Sequence, residues 1–323
     1  MTAMEETLVP LNDGKTPPKE APKRTDSFGS DKGIDLHHEG EQDTLDYRIH
    51  AKDADGAKTI SLWHDISLVH IDPDTNQPTP YYNFVCEIPK FTRKKYEIAT
   101  DEEFTPIKQD TKKGMLREFK KGDLYFNYGC FPQTWEDPTH YHPDAEGCRG
   151  DNDPLDVCEI GARIVDVGAV RPVKVLGILM MIDEGETDWK IVVIDKDDKW
   201  APFLNDIDDV EKEMPGMCDA IREWYRTYKI PDGKPPNTFG LGEKFMNKAY
   251  AKNIMDECHT AWEELVSGEK ERKLEKGEQH DAEVKKLVRK LSKNSLFALA
   301  PNMDEHPGFE NDVEMNDLDA PSF

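Results

Sequence analysis

An α+β fold that is mainly β, a small barrel or sandwich with a few helices packed outside it, is what this chain of 323 residues predicts. Three observations lead there. Between Tyr47 and about Ser267, short apolar runs alternate with turns rich in Gly, Pro and Asp, the pattern of many short strands. The runs 173–182 and 189–194 flank the acidic stretch DEGETD, which reads as an antiparallel hairpin. Later the apolar spacing becomes helical, so helices follow the strands.

In chain order, strands are expected at 82–88, 96–98, 157–160, 164–167, 173–182 and 189–194, each an apolar run bounded by turn residues. Met217, Ile221, Trp224, Tyr225 and Tyr228 fall at i, i+4, i+7, i+8 and i+11, one face of a helix that Pro231 and Gly233 stop. A second helix is expected over 243–266, with Met255, Cys258, Trp262 and Leu265 on one side. Residues 1–43 hold Pro10, Pro17, Pro18, Pro22 and one aromatic, Phe28, without apolar period, and are expected to be a disordered arm. Residues 301–323 carry seven carboxylates and no Lys or Arg, and are expected to be a disordered acidic tail. The domain itself then spans 44–267, followed by a charged extension of helical character at 268–300.

Composition narrows the partners. With 66 Asp and Glu against 42 Lys and Arg, the formal charge is −24, which argues against nucleic acid held on a general basic surface. A polyanion would need a local basic pocket or bound cations. The apolar fraction of 37% is low, yet 13 Phe, 10 Tyr and 6 Trp imply a real core diluted by polar tails. The longest apolar run, 175–182, is strand-sized and far short of the ~18 residues of a membrane span, so no membrane partner is expected. The N-terminal residues lack a basic start with an apolar stretch, which predicts a cytoplasmic protein. Six cysteines without a C-x-x-C pair predict reduced thiols.

Chemistry concentrates at Gly150-Asp151-Asn152-Asp153-Pro154-Leu155-Asp156, directly before an apolar run. Crowded carboxylates disfavour one another's charge unless a cation neutralises them. Hard divalent ions suit oxygen ligands, and Mg²⁺ in particular combines a few carboxylates with waters and phosphate oxygens. An EF-hand fails here, because counting from Asp151 puts Asp156 and Ala162 where Gly and Glu are required. A second acidic cluster, Asp183-Glu184-Gly185-Glu186-Thr187-Asp188, sits at the hairpin tip with Lys190 just beyond. Either cluster alone also reads as a solvated turn; together they suggest two or more metals held between loops. Basic residues are sparse: Lys95 shares a strand face with Glu97, Arg117 can grip a phosphate in bidentate fashion, and Lys229 ends the aromatic helix after Tyr228.

The signature D-x-D-P-x-D at Asp151–Asp156 is accompanied by CEIPKFTRKKYE (86–97), PIKQDTKKGMLR (106–117), NYGCFPQTWEDP (127–138), DEGETDWK (183–190), LNDIDDVE (204–211) and YKIPDGKP (228–235). In these motifs the chain resembles family I soluble inorganic pyrophosphatases of the longer eukaryotic type, over roughly residues 46–266. The resemblance implies a five-stranded OB-like barrel with flanking helices, and Mg²⁺-dependent hydrolysis of pyrophosphate to two orthophosphates by a metal-activated water. It implies Asp151, Asp156 and Asp188 as principal metal ligands, with Asp183 and Glu97 holding metals that arrive with substrate. Asp153 is the implied general base; Lys95, Arg117, Tyr128, Lys190, Tyr228 and Lys229 contact phosphate; Glu87 is a further polar residue of the pocket. None of the ten histidines receives a role. Eukaryotic relatives imply a homodimer. The chain departs from the family pattern where a tyrosine usually stands four residues before Tyr128: it has Leu124 there, with Tyr125 beside it, and it has Phe91 where Trp is common.

Two rival readings follow from the same residues. A broader phosphohydrolase acting on short polyphosphates or nucleotides is disfavoured because no P-loop motif is present. A noncatalytic acidic interaction protein is disfavoured by the complete set of Asp151, Asp153, Asp156, Asp183 and Asp188.

Overall fold

The apolar runs on either side of the acidic tip leave almost no polar face to turn toward water, so the sheet they build must be covered on both sides. In the computed structural model, which describes residues 34–145 and 147–276 together with Lys286, Val288, Lys290 and Leu291, that sheet closes on itself. Its strands are Pro78–Ile88 (β1), Asn127–Cys130 (β2), Asp156–Glu159 (β3), Val170–Asp183 (β4) and Glu186–Asp195 (β5). They run β1–β2–β3–β5–β4 and return to β1, antiparallel except for the parallel pair β3–β5. This is the expected five-stranded barrel.

Side chains alternate across each strand, so the two surfaces of the barrel feed two apolar clusters. Phe84, Cys86, Val157, Ile178, Ile191 and Val193 pack with Ala251, Ile254 and Met255 of the helix Lys248–Val266. Cys130, Cys158, Val192 and Ile194 belong with Val210, Ile221, Trp224 and Tyr225 of the helices Ile207–Glu213 (α1) and Met217–Thr227 (α2). Lys248–Val266 is α3, and Glu269–Lys276 is α4. A second antiparallel sheet is built from Asp35–Glu39, Arg48–Lys52, Tyr96–Ile98 and Ile107–Gln109, with Thr59–Ile60 on one side. No helix among the described residues is long and apolar enough to cross a membrane.

Most expected elements form, with three departures. Residues 164–167 are not a strand. The Asn127 side chain takes the Val165 N–H at 3.1 Å, so a side chain rather than a neighbouring strand satisfies that backbone. The helix expected from 243 begins at Lys248, because Phe245–Asn247 first pairs with Gly177–Leu179 of β4 and Asn247 then caps the helix by accepting from Tyr250 N–H at 3.0 Å. Asp35–Glu39, assigned from sequence to the arm, is a strand on Arg48–Lys52; of its five residues only Leu36 reaches the core, too little for a period-two signal. Residues 1–33 of the arm and the acidic tail lie outside the described residues. The hairpin is tighter than its acidic stretch suggested: Glu184 and Gly185 both adopt positive φ, 51° and 96°. That two-residue turn matches strand twist and makes Asp183 and Asp188 strand residues.

One histidine without a catalytic role has a structural one. His64 is buried, its ring stacked 4.2 Å from Trp63, and its Nδ1 accepts the Trp262 indole N–H at 2.9 Å. Burial pushes its pKa down to about 3 from 6.5. Between those values the unfolded chain binds a proton that the folded chain refuses. The contribution to stability is therefore complete above 6.5 and is lost as pH falls toward 3. Its slope approaches ~1.4 kcal/mol per pH unit. His64→Gln keeps an acceptor and removes the titration, so urea unfolding over that range should show an acid-side slope flatter by about this amount; an unchanged slope would reject the assignment.

Candidate active site

The barrel register builds the centre of the site. Cys130 pairs with Asp156, and Asp156 pairs with Lys190; residues opposite one another share a face, as do residues two apart. Tyr128, Asp156, Asp188 and Lys190 therefore project from three strands to one side. Lys190 reaches both Asp156 and Asp188 with its ammonium, while Tyr128 and Tyr225 place their rings 5.6 and 5.1 Å from Nζ. Arg149–Gly150 pairs in parallel with Glu186–Thr187, which delivers Asp151 beside Asp188. Gly150 is required there: a Cβ would lie 2.4 Å from the Glu136 carbonyl carbon.

The second sheet and α2 supply the walls. Lys95 pairs with Glu97 and lies 3.3 Å from Asp110, which also accepts from Arg117 at 2.7 Å. At the end of α2, Lys229 pairs with Asp183, and the Tyr228 hydroxyl donates to Asp183 at 3.3 Å. Glu87 accepts the Ile98 N–H at 2.7 Å. One cavity of about 210 Å³ is lined by every residue singled out from the sequence: Glu87, Lys95, Glu97, Arg117, Tyr128, Asp151, Asp153, Asp156, Asp183, Asp188, Lys190, Tyr228 and Lys229.

Burial, compounded by carboxylate crowding, dominates its electrostatics. Burial first, then Asp188 and Asp153, hold the Asp151 carboxyl well above its usual range. Burial and the Asp156 charge raise Glu87 likewise. Asp188 is pushed up to about 7 by burial, against the pull of Lys190 and with the Asp156 charge adding to the rise. Asp153 also reaches about 7, through burial and the Glu97 charge, with Lys95 pulling the other way. Its side chain opens onto the cavity lumen, so water reaches it although protein surrounds it. For Lys190, burial disfavours the ammonium, but Asp156 and Asp188 outweigh burial and keep it protonated. Lys95 behaves the same way between Glu97 and Asp110.

Two residues escaped the sequence reading. Glu136, from the stretch NYGCFPQTWEDP, brings a carboxylate oxygen to a group with Asp151 and Asp188 whose ligand atoms all lie within 4.8 Å. Its Oε1 is buried without a hydrogen-bond partner among the described residues, and burial with the Asp151 charge raises its pKa strongly. Asp110 is the other; it stands between Lys95 and Arg117 and orients both. A lone carboxylate beside a Trp or in a turn carries no spacing signal, so neither was visible before folding. Tyr125 does not take the place of the tyrosine absent at 124: its hydroxyl donates to the Ala220 carbonyl of α2, while the buried Leu124 lines the cavity.

Comparison with known proteins points the same way. A family model for inorganic pyrophosphatase matches residues 84–263. The chain is 52% identical over 233 residues to soluble inorganic pyrophosphatase 6, chloroplastic, of Arabidopsis thaliana, covering 72% of this chain and 75% of that one. It is 49% identical over 234 residues to inorganic pyrophosphatase of Candida albicans, covering 71% and 78%. Among solved structures, recombinant inorganic pyrophosphatase from T. brucei brucei aligns with a TM-score of 0.69 at 46% identity, covering 73% of this chain and 71% of that one. The N-terminal-domain-truncated vacuolar soluble pyrophosphatase of Trypanosoma cruzi, in complex with PPi, aligns with a TM-score of 0.68 at 41% identity, covering 82% and 99%. Because the matched residues take in nearly all of the barrel, the hairpin and both acidic loops, this chain belongs to the inorganic pyrophosphatase family of hydrolases.

Proposed function

We propose that the protein hydrolyses inorganic pyrophosphate to two orthophosphates in a Mg²⁺-dependent reaction, by direct attack of water with Asp153 as general base. The observation that carries this is the charge of the cavity: eight carboxylates against four basic groups line it. A phosphate anion would be repelled by that excess unless cations entered with it. The unpartnered Glu136 Oε1 beside Asp151 and Asp188 fits a hard cation that takes oxygen ligands. Asp151, Asp156 and Asp188 would hold it, joined by Glu136, while Asp183 and Glu97 would hold cations carried in by the substrate. Bound there, divalent cations supply positive charge that lowers the pKa of water and offsets charge on the phosphate oxygens.

The chain's own residues do the rest. Lys95, Lys190 and Lys229 are each paired with a carboxylate in the resting site. With those carboxylates engaged by a cation, these ammonium groups and Arg117 would be free to turn to the phosphates, so that neither charge would be stripped bare. Tyr128 and Tyr228 donate hydroxyl hydrogen bonds to the same anion. Asp153, facing the lumen, accepts the proton of the attacking water. The departing phosphate is left against Lys, Arg and Tyr donors, and no covalent intermediate is required.

The cavity volume of about 210 Å³ lies below the ~300–1,000 Å³ usual for larger organic ligands, which favours pyrophosphate over nucleotides. Six cysteines without a disulfide, five of them buried, support a reducing compartment, which we assign as the cytoplasm. Phosphate release should be measured from pyrophosphate, tripolyphosphate and ATP, with Mg²⁺ and with EDTA. Release from pyrophosphate that requires Mg²⁺ and exceeds the other two is expected. No release from pyrophosphate, or equal rates on ATP, would sink the proposal.

A further inference from the structure

The helix α4 lies beyond residue 263, where the family match ends. Leu274 anchors it in the core at 3% exposure. Near its start, Lys270 donates to Asp137 Oδ2, and the two side chains are only 13% and 7% exposed. The other Asp137 oxygen accepts from Thr139 N–H and Oγ1, both at 2.8 Å. Asp137 is thus gripped from the extension and from its own turn.

Its neighbour is Glu136. The Glu136 N–H donates to the Asp153 carbonyl at 2.9 Å, and the Glu136 carbonyl accepts from Asn152 N–H at 2.9 Å. The Trp135 indole N–H adds a bond to Asn152 Oδ1 at 3.2 Å. Segment 135–137 and loop 150–153 are therefore tied together by backbone and side chain, with no space for a Cβ between them at Gly150. Any shift of Asp137 passes to Glu136 and to the loop that carries Asp151 and Asp153.

We propose that Lys270 is a positioning residue for the cation cluster: from the C-terminal extension it holds Asp137, and through Asp137 it sets the Glu136 carboxylate and the Asp151–Asp153 loop. This rests on the reading of that cluster as a divalent-cation site. Lys270 touches neither cation nor substrate. Without its ammonium, Asp137 becomes a buried carboxylate held by Thr139 on one oxygen and left without its counter-charge on the other, a state relieved by turning that oxygen toward water. That turn rotates the Glu136–Asp137 peptide and draws Glu136 away from Asp151 and Asp188. Residues that orient metal ligands typically govern about 10–100-fold in affinity, and a residue one bond further out belongs at the low end.

The probe is Mn²⁺ binding to the metal-free full chain, followed by the electron paramagnetic resonance of free Mn²⁺, with no substrate present. Lys270→Met should weaken binding about tenfold, and Lys270→Arg should restore it to about twofold of wild type. Asp137→Asn should weaken binding comparably, and the double variant K270M/D137N should be no weaker than either single one, as expected for one shared contact. A merely structural role would lower the melting temperature without this pattern of rescue and non-additivity. Asp151→Asn serves as the reference. If it abolishes tight binding while Lys270→Met and Asp137→Asn both bind like wild type, the inference fails and the cation site stands. If Asp151→Asn binds like wild type, both fail. Should Lys270→Met not fold, Asp137→Asn alone decides.

Discussion

Asp153→Asn is expected to lower kcat for phosphate release from pyrophosphate by ~10²–10⁴-fold, the range typical of a lost general base, with KM changed far less. The substitution keeps shape and hydrogen-bonding reach and removes only the capacity to take up a proton. Asp153 suits the task for reasons of environment. It opens onto the cavity, it stands outside the Glu136, Asp151 and Asp188 group, and burial with the Glu97 charge raises its pKa to about 7. A base with a pKa near neutrality is still largely available to accept a proton and returns it readily. Its backbone N–H bonds Asp151 Oδ1 at 3.0 Å, an interaction that asparagine leaves intact, so the variant should bind Mn²⁺ as wild type does. A steady-state comparison at saturating Mg²⁺ checks this. Activity within about threefold of wild type would remove Asp153 from the role of base while leaving the hydrolase assignment untouched.

What could be read from the chain depended on whether a residue announces itself through spacing. Strands β4 and β5 were legible because an apolar run with a Gly-containing acidic tip has few alternatives, and Asp151, Asp153 and Asp156 because three carboxylates in six residues conflict unless something reconciles them. Helix α2 was legible from the five residues of its apolar stripe. Residues 164–167 misled for a definite reason: their apolar pattern is that of a strand, but Asn127, distant in sequence, supplies the hydrogen bond a partner strand would have given. Asp35–Glu39 was missed because its stability is borrowed from the backbone of Arg48–Lys52. Glu136, Asp110 and Lys270 share a deeper reason. Each matters through what lies against it after folding, across gaps of 15, 15 and 133 residues from Asp151, Lys95 and Asp137, and no local pattern encodes such a meeting.

Lys190→Met should produce the second large effect, on turnover and stability together. Lys190 is 2% exposed and bridges Asp156 and Asp188. In the cation-free protein it is what makes the buried Asp188 and its mostly buried neighbour Asp156 tolerable together; removing one partner of a buried ion pair typically costs about 3–5 kcal/mol. Methionine fills similar volume, so the cost should be electrostatic rather than a cavity. Two consequences separate this from simple misfolding. Part of the destabilisation should vanish when Mg²⁺ is added, because a cation replaces the missing ammonium and binds the folded state selectively. Turnover should nonetheless stay low, by ~10²–10³-fold, since a donor aimed at developing phosphate charge is absent in every state. Urea unfolding with EDTA and with excess Mg²⁺, set beside kcat, tests both. Stability equal to wild type without cations would show that Asp156 and Asp188 do not need Lys190, and near-normal turnover would show that the phosphates do not either.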